Sequence, residues 1–320
     1  ALGNAPLNFV TIFGQARQGK STLLNQLAKS LGLVAISHKD QTCTRGVDLS
    51  AKFVPVESFM VGSGGGGGGE KLHVGFVDVE GQGVEGVEYD TKLVTPALLF
   101  SKVLLFNWKG APQPDMILDM LGVLAEAAES VNLAGGEGGG EEEEKMDEEE
   151  GEQKDIFGHL HIIFRDWTFE SDATARALLA PEKPRSKAKK LSKEAKKRNA
   201  IRATLQRVFT SVTIWTFPAP VVDIMTERVC AETLTAGFKE RTDELRAAVG
   251  AQLAEGPTSL GGKVLTCADL AELMPAVAAA MNADDMLSPQ SLFAQVAARK
   301  AERARDEYGE ALRLLEAELE

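Results

Sequence analysis

The chain is poor in the residues that brace small proteins chemically. Its three cysteines, Cys43, Cys230 and Cys267, lie far apart and form no paired spacing. That excludes a disulfide framework or a cysteine zinc site and suits the cytosol. The four histidines make no metal cluster. His159 and His161 share a face of an expected strand and read as packed or partly exposed side chains rather than a ligand pair. No apolar run approaches the roughly 20 residues of a bilayer span, and no signal-peptide pattern opens the chain. A broad basic face of the kind that grips nucleic acid is also missing.

What is present is a chain of 320 residues, 44% hydrophobic, enough for a large buried core. The net charge of −12 is local rather than general. Between 137 and 152, ten acidic side chains face Lys145 alone, and between 182 and 198 nine basic side chains face Glu182 and Glu194. The basic run could touch phosphates, an anionic membrane or the acidic loop; its plain reading is a solvated helix face. The first residue is Ala, and the first strand begins within ten residues. We read the chain as a domain cut from a longer parent, with membrane association only through parts outside it.

Strand and helix patterns alternate. Strands are expected near 8–13, 71–79, 102–108, 157–164 and 211–217, and helices at 20–31, 114–132 and 194–209. This predicts an α/β fold, a mainly parallel sheet flanked by helices. The glycine run within 62–70 and the acidic stretch 134–154 read as flexible surface insertions. From 231 onward the pattern is helical and alanine-rich. Ser288–Glu320 is amphipathic, with Leu292, Phe293, Val296, Tyr308, Leu312, Leu315 and Leu319 among charges, and reads as the start of a helical stalk. The expected division is 1–282 for the catalytic domain and 283–320 for the first stalk helix.

The most specific motif is Gly14-Gln15-Ala16-Arg17-Gln18-Gly19-Lys20-Ser21, followed by Thr22. It is G-x-x-x-x-G-K-[ST] between an apolar strand and a helix, the setting of a P-loop. Gly14 and Gly19 let successive N–H groups curl around one anion, and the helix N-terminus adds its dipole. Lys20 supplies charge to the β- and γ-phosphates and Ser21 is a candidate Mg²⁺ ligand. Downstream, an apolar strand ends in Asp78-Val79-Glu80-Gly81. Asp78 would serve Mg²⁺ and the Gly81 N–H would sense the γ-phosphate, as in GTPases. Between them lies Thr42-Cys43-Thr44-Arg45-Gly46, where Thr44 would complete the metal shell and Thr42 could place a hydroxyl near the attacking water. Arg17 could swing a guanidinium onto the phosphates. The guanine-reading N-K-x-D is missing, since Asn107-Trp108-Lys109-Gly110 lacks its aspartate. A later strand ends in Arg165-Asp166, whose carboxylate can accept N1–H and N2–H₂ of guanine; adenine has no such donor pair. Arg165 could stack on the base or hold the loop.

Together these residues resemble the guanylate-binding protein and atlastin group of the dynamin superfamily. The family's R-x-G-K-S is matched by Arg17 to Ser21, its T-[KR]-G by Thr44 to Gly46, its D-T-E-G by Asp78 to Gly81 and its R-D by Arg165-Asp166. Phe217-Pro218 is similar to the loop that caps the base, and Met281 to Ala297 resembles the hinge into the stalk. The resemblance implies a Mg²⁺-dependent GTPase with GTP and GDP as ligands. It also implies a homodimer across the nucleotide face that pulls Arg17 inwards, with onward hydrolysis to GMP in some members. Val79 stands where the family has threonine, Thr42 where it often has serine, and Gln82 where it usually has an apolar residue; Gln82 is a candidate water-positioning group. Two other readings are an atlastin-like membrane tether at the cytosolic face of a membrane, and a GTP-gated scaffold with little hydrolysis.

Overall fold

The computed structural model describes residues 3–29, 46–50, 52–59, 72–81, 86–129, 131, 157–184, 190–221, 232–260, 263–282 and 289–319. Strand β1 (Leu7–Gly14) is buried at every position. Its near-continuous apolar run calls for cover on both faces, which only a central strand receives. It lies between β4 (His73–Val79) and β5 (Ser101–Lys109), parallel to both. Beyond β5 come β6 (Phe157–Arg165) and β7 (Phe209–Thr216), also parallel. On the other side, the short β2 (Val47–Leu49) and β3 (Val54–Pro55) pair antiparallel with β4, completing a seven-stranded sheet.

Alternation along the strands splits the core. Val10, Ile12, Val74, Phe76, Val103 and Leu105 face α1 (Lys20–Leu27) and α6 (Ala236–Ala254). Phe9, Phe13, Leu104, Phe106, Leu160 and Ile162 face the opposite layer. That layer holds α2 (Val87–Phe100), α3 (Pro114–Glu129), α5 (Lys193–Val208) and α7 (Cys267–Asn282). Each buried Phe or Leu stabilises the sandwich by about 1.5–3 kcal/mol, so the two apolar layers dominate the fold. A short α4 (Ala173–Arg176) follows β6.

Asn8 and Arg246 are polar groups of this core with partners. Asn8 donates to the carbonyls of Leu253 and Gly256 at 3.2 and 3.1 Å and accepts from the Thr258 N–H at 2.6 Å. On α6, the Arg246 guanidinium donates to the carbonyls of Leu27 and Ser58 and lies 4.2 Å over the Phe59 ring. It ties the end of α1 to α6.

The expected strands and the parallel sheet are present. Several boundaries differ for local reasons. Helix α1 ends at Leu27 rather than 31, because Lys29 takes a left-handed φ of 51°. Helix α2 had no sequence expectation, Pro96 interrupting its pattern. The region after 231 is not continuously helical. Gly256-Pro257 breaks it, and the antiparallel pair β8 (Ser259–Leu260) and β9 (Lys263–Val264) intervenes before α7. The basic helix α5 is only partly a solvated face. Arg198 reaches Glu182 at 2.6 Å and Asp115 at 3.0 Å, and Arg202 reaches Glu182 at 3.1 Å. These bonds hold the Glu182 carboxyl well below the usual range. Helix α8 (Pro289–Leu319) buries Leu292 and Val296 in the cluster that holds α7, then runs exposed from Ala301 to Tyr308. The glycine and acidic insertions, 62–70 and 134–154, lie outside the described residues.

His159 and His161 share one face, as their spacing suggests, and both are buried. His159 bridges Ser211 and Glu255 at 2.9 Å each. Trp215 Nε1–H donates to His161 Nδ1 at 2.7 Å, so His161 Nε2 carries the proton it shares with Gln252 Oε1 at 2.7 Å. Burial, with His159 adding a smaller push, lowers His161 to about 4. The unfolded chain takes up this proton near the ordinary histidine value and the fold resists it. The stabilisation is therefore complete above pH 6.5 and is lost as pH falls towards 4. Urea unfolding should lose about 2 kcal/mol between pH 7.5 and pH 5 through this residue. His161→Gln should be less stable at pH 7.5 but show a shallower pH dependence over that window.

Candidate functional site

The strand register assembles the site. Gly14 pairs with Asn107, Ile12 with Asp78 and Lys109 with Arg165, so the C-terminal ends of β1, β4, β5 and β6 reach one edge. The chain passes from β1 to β4 on one side and on to β5 on the other. This reversal is the crevice where open α/β sheets take ligands.

The glycine loop is fastened to β5. Gly14 has a φ of 132°, and a Cβ there would sit 2.3 Å from the Asn107 carbonyl oxygen. Asn107 Nδ2–H donates to the Gln18 carbonyl at 3.0 Å, and the Lys109 N–H donates to Gln18 Oε1 at 2.9 Å. Gln18 Nε2–H in turn donates to Gln15 Oε1 at 2.5 Å. Gly19, at φ 73°, opens α1 with no side-chain cap, whereas Ser192 and Thr235 cap α5 and α6. The first-turn N–H groups of Lys20, Ser21 and Thr22 are therefore unclaimed by a capping side chain, and the helix dipole points its positive end at the loop.

Lys20 is 7% exposed and donates from Nζ to the Gln15 carbonyl at 3.3 Å. Burial pushes its pKa down, while Asp78 and Glu80 pull it back. Ser21 Oγ donates to Asp78 Oδ2. This pairs a hydroxyl with a fully buried carboxylate, hard oxygens of the kind Mg²⁺ takes. Gly81 is pressed on the loop: a Cβ would lie 2.2 Å from Ala16 Cα. Arg17 is exposed at a left-handed φ of 61°, with no hydrogen bond or ion pair among the described residues. Thr42, Thr44 and Gln82 lie outside the described residues.

At the other end of the edge, Asp166 has a left-handed φ of 55°. Lys109 Nζ lies 3.4 Å from its Oδ2, while Oδ1 is buried without a hydrogen-bond partner among the described residues. Of the two roles open to Arg165, the structure places its guanidinium on the loop. Nη1 donates to the Gly19 carbonyl at 3.1 Å, and the group lies 5.2 Å over the Phe238 ring. Burial pushes its pKa down and Asp166 opposes this. Phe217 is fully buried with its ring 5.5 Å from Phe238, so only its backbone meets this edge. That backbone accepts from the Trp167 N–H and donates to the Phe164 carbonyl, both at 2.8 Å. Pro218 is half-buried beside it.

Three residues here carry no clear mark in the sequence. No aspartate follows Asn107 and Lys109 along the chain, yet the neighbouring strand brings Asp166 to Lys109. Their N-x-K spacing was the available signal. Glu80 was the third. Its carboxylate accepts from the Gly46 N–H at 2.7 Å and the Tyr89 hydroxyl at 2.9 Å. It laces the end of Thr44-Arg45-Gly46 to Asp78-Val79-Glu80-Gly81.

A glycine loop opening an uncapped helix at the switch point of a parallel sheet defines a P-loop nucleotide-binding α/β protein. Residues 3–253 match the family described as guanylate-binding protein, N-terminal domain, and the chain belongs to that family. Membership implies a domain that binds and hydrolyses GTP. No curated protein matches the chain. Among solved structures, a bacterial selenocysteine-specific elongation factor, EF-Sec, is similar at 10% identity over 79% of this chain, with a TM-score of 0.37. The match spans 29% of that chain's length. Among the described residues no helix is long and apolar enough to cross a membrane.

The loop's fastening to β5 can be measured. Gly14→Ala should cost about 3 kcal/mol of stability, combining a forced φ with the Asn107 clash. Gly256→Ala, at φ 136° with no atom within 4 Å of the new Cβ, should cost only about 1–2 kcal/mol. Denaturant midpoints of the two variants check the difference.

Proposed function

We propose that this domain hydrolyses GTP in a Mg²⁺-dependent reaction that is accelerated by pairing of two copies across the nucleotide face. The observation that carries the reading is the convergence on one sheet edge of the uncapped α1 N-terminus with buried Lys20, the Ser21–Asp78 pair, and Asp166. The first two suit a polyphosphate and the third suits guanine. Residues Gly14 to Thr22 cradle the phosphates through their N–H groups. Asp166 selects the base, Arg165 holds the loop, and Phe217-Pro218 bounds the base edge. Ser21, Asp78 and Thr44 are the hard oxygens that would hold Mg²⁺. When bound, Mg²⁺ would supply positive charge that offsets the charge of the phosphates.

In the reaction a water oxygen bonds to the γ-phosphorus in line, and the bond to the β–γ bridging oxygen breaks. GDP and inorganic phosphate leave with the released proton. Lys20 offsets charge on the bridging and γ-oxygens. Arg17, exposed and free of ion pairs among the described residues, would fold inwards when a second copy covers it. Gly81 presents its N–H to the γ-phosphate, Thr42 orients the water, and Gln82 assists it. Residues 1–282 form the GTPase domain and 283–320 the first helix of a helical domain, whose position the nucleotide state would bias.

Lys20→Ala should weaken GTP binding more than 100-fold relative to the unaltered chain, on the order seen when a phosphate-binding charge is removed. Arg17→Ala should keep binding within a few-fold but lower kcat by about 10³. Gln82→Ala should lower turnover more modestly. Turnover per molecule should rise with protein concentration. Labelled GTP, GDP, GMP and ATP titrations with single-turnover assays check these outcomes. A flat, near-zero rate at all concentrations would leave a scaffold rather than an enzyme, and preference for ATP would remove the guanine assignment.

A further inference from the structure

The reading of Asp166 as the guanine acid leaves a physical problem. A lone aspartate at a strand end can rotate its carboxylate freely and turn it to solvent. Base discrimination needs both oxygens held in one plane, since a carboxylate earns specificity only when its rejected alternative leaves it unpaired. Here the backbone at Asp166 is left-handed, at φ 55°. Its Oδ2 lies 3.4 Å from Lys109 Nζ, and Oδ1 is buried with no hydrogen-bond partner among the described residues.

Lys109 itself is not placed by chance. It is the last residue of β5 and pairs with Arg165 across the β5–β6 ladder. Its N–H is bonded to Gln18 Oε1, and the following Gly110 N–H bonds to the Arg165 carbonyl at 2.9 Å. The ammonium is thus delivered to Asp166 from a backbone anchored to the phosphate loop on one side and to β6 on the other. The Lys109 side chain is 42% exposed and Asp166 19%. An ion pair so placed adds little to folding. Its consequence is orientation.

We propose that Lys109 is a positioning residue for guanine specificity: through its ion pair with Asp166 Oδ2 it holds the carboxylate so that its two oxygens accept the two N–H donors of the base edge. The inference rests on the proposed GTP reading. It supplies in space what the sequence lacks: a lysine from one strand and an aspartate from the next act as one base reader. Because Lys109 and Gln18 share a bond, the base reader and the phosphate loop are also held in register.

The test uses the whole chain with Lys109→Met and Lys109→Arg, titrated with GTP, inosine triphosphate and ATP, followed by steady-state turnover of GTP. Inosine triphosphate keeps N1–H and lacks the 2-amino group. Lys109→Met should weaken GTP binding about five- to tenfold and shrink the preference for GTP over inosine triphosphate. The loss should fall in KM, with kcat at saturating GTP within about twofold. Lys109→Arg should restore binding to within about twofold of the unaltered chain, because it keeps a cation that can reach the carboxylate. Thermal midpoints should differ by no more than about 2 °C, as for an exposed ion pair. If Lys109→Met keeps both the affinity and the GTP-to-inosine ratio, this inference fails while the GTPase reading stands. If the unaltered chain does not prefer GTP to ATP, both fail. Equal losses in Lys109→Met and Lys109→Arg, with lowered thermal midpoints, would show a structural role and overturn the proposal.

Discussion

The approach of Gly14 to the Asn107 carbonyl is the constraint on which the site depends. Of two neighbouring parallel strands, β1 must turn sharply at Gly14 where β5 is still extended. Only a residue without Cβ fits against that carbonyl. Once the turn is made, Asn107 and Lys109 hold Gln18, and Arg165 holds Gly19 from one strand further out. Gly81 closes on the loop from β4, so the loop is held on both sides. Side chains from β5 and β6 satisfy the carbonyls of Gln18 and Gly19.

Charge is distributed to match. Lys20 is buried at a cost in its ionisation, and Asp78 and Glu80 offset part of it. Arg165 is buried more deeply still and leans on the Phe238 ring and the Gly19 carbonyl. Two desolvated cations beside an uncapped helix N-terminus make an environment that gains when a polyanion arrives. Glu80 adds the mechanical counterpart. By bonding Gly46 and Tyr89 it joins the chain at Gly46 and the start of α2 to the end of β4.

Much of this was legible in the linear chain. A run such as Asn8 to Phe13, apolar on both sides, has to be a covered strand, and glycines at 14 and 19 with Lys20-Ser21 behind them leave few uses for the loop. That His159 and His161 share one face also followed from their spacing, while their burial is a finding of the structure. Other features were hidden. Helix α2 carries Pro96 and few local signals, so its burial against the sheet decides its form. The alanine-rich tail looked continuous until Gly256-Pro257 turned it into the β8–β9 pair. The basic run 182–198 resembled a solvated face because Glu182 and Asp115, the partners of Arg198, meet it only in the fold.

Local order, strand identity and the phosphate-binding loop were determined by the sequence itself, since each follows from side-chain periodicity and backbone freedom within a short window. The composition of the sheet edge at Asp166 was decided only by tertiary structure. Lys109 and Asp166 are far apart along the chain, and what makes them neighbours is the parallel β5–β6 register, which sets Lys109 beside Arg165. The same holds for Glu80 with Gly46 and for Arg165 with Gly19. A hydrogen bond or ion pair depends on distance in space, and no pattern along one strand encodes the alignment of the next.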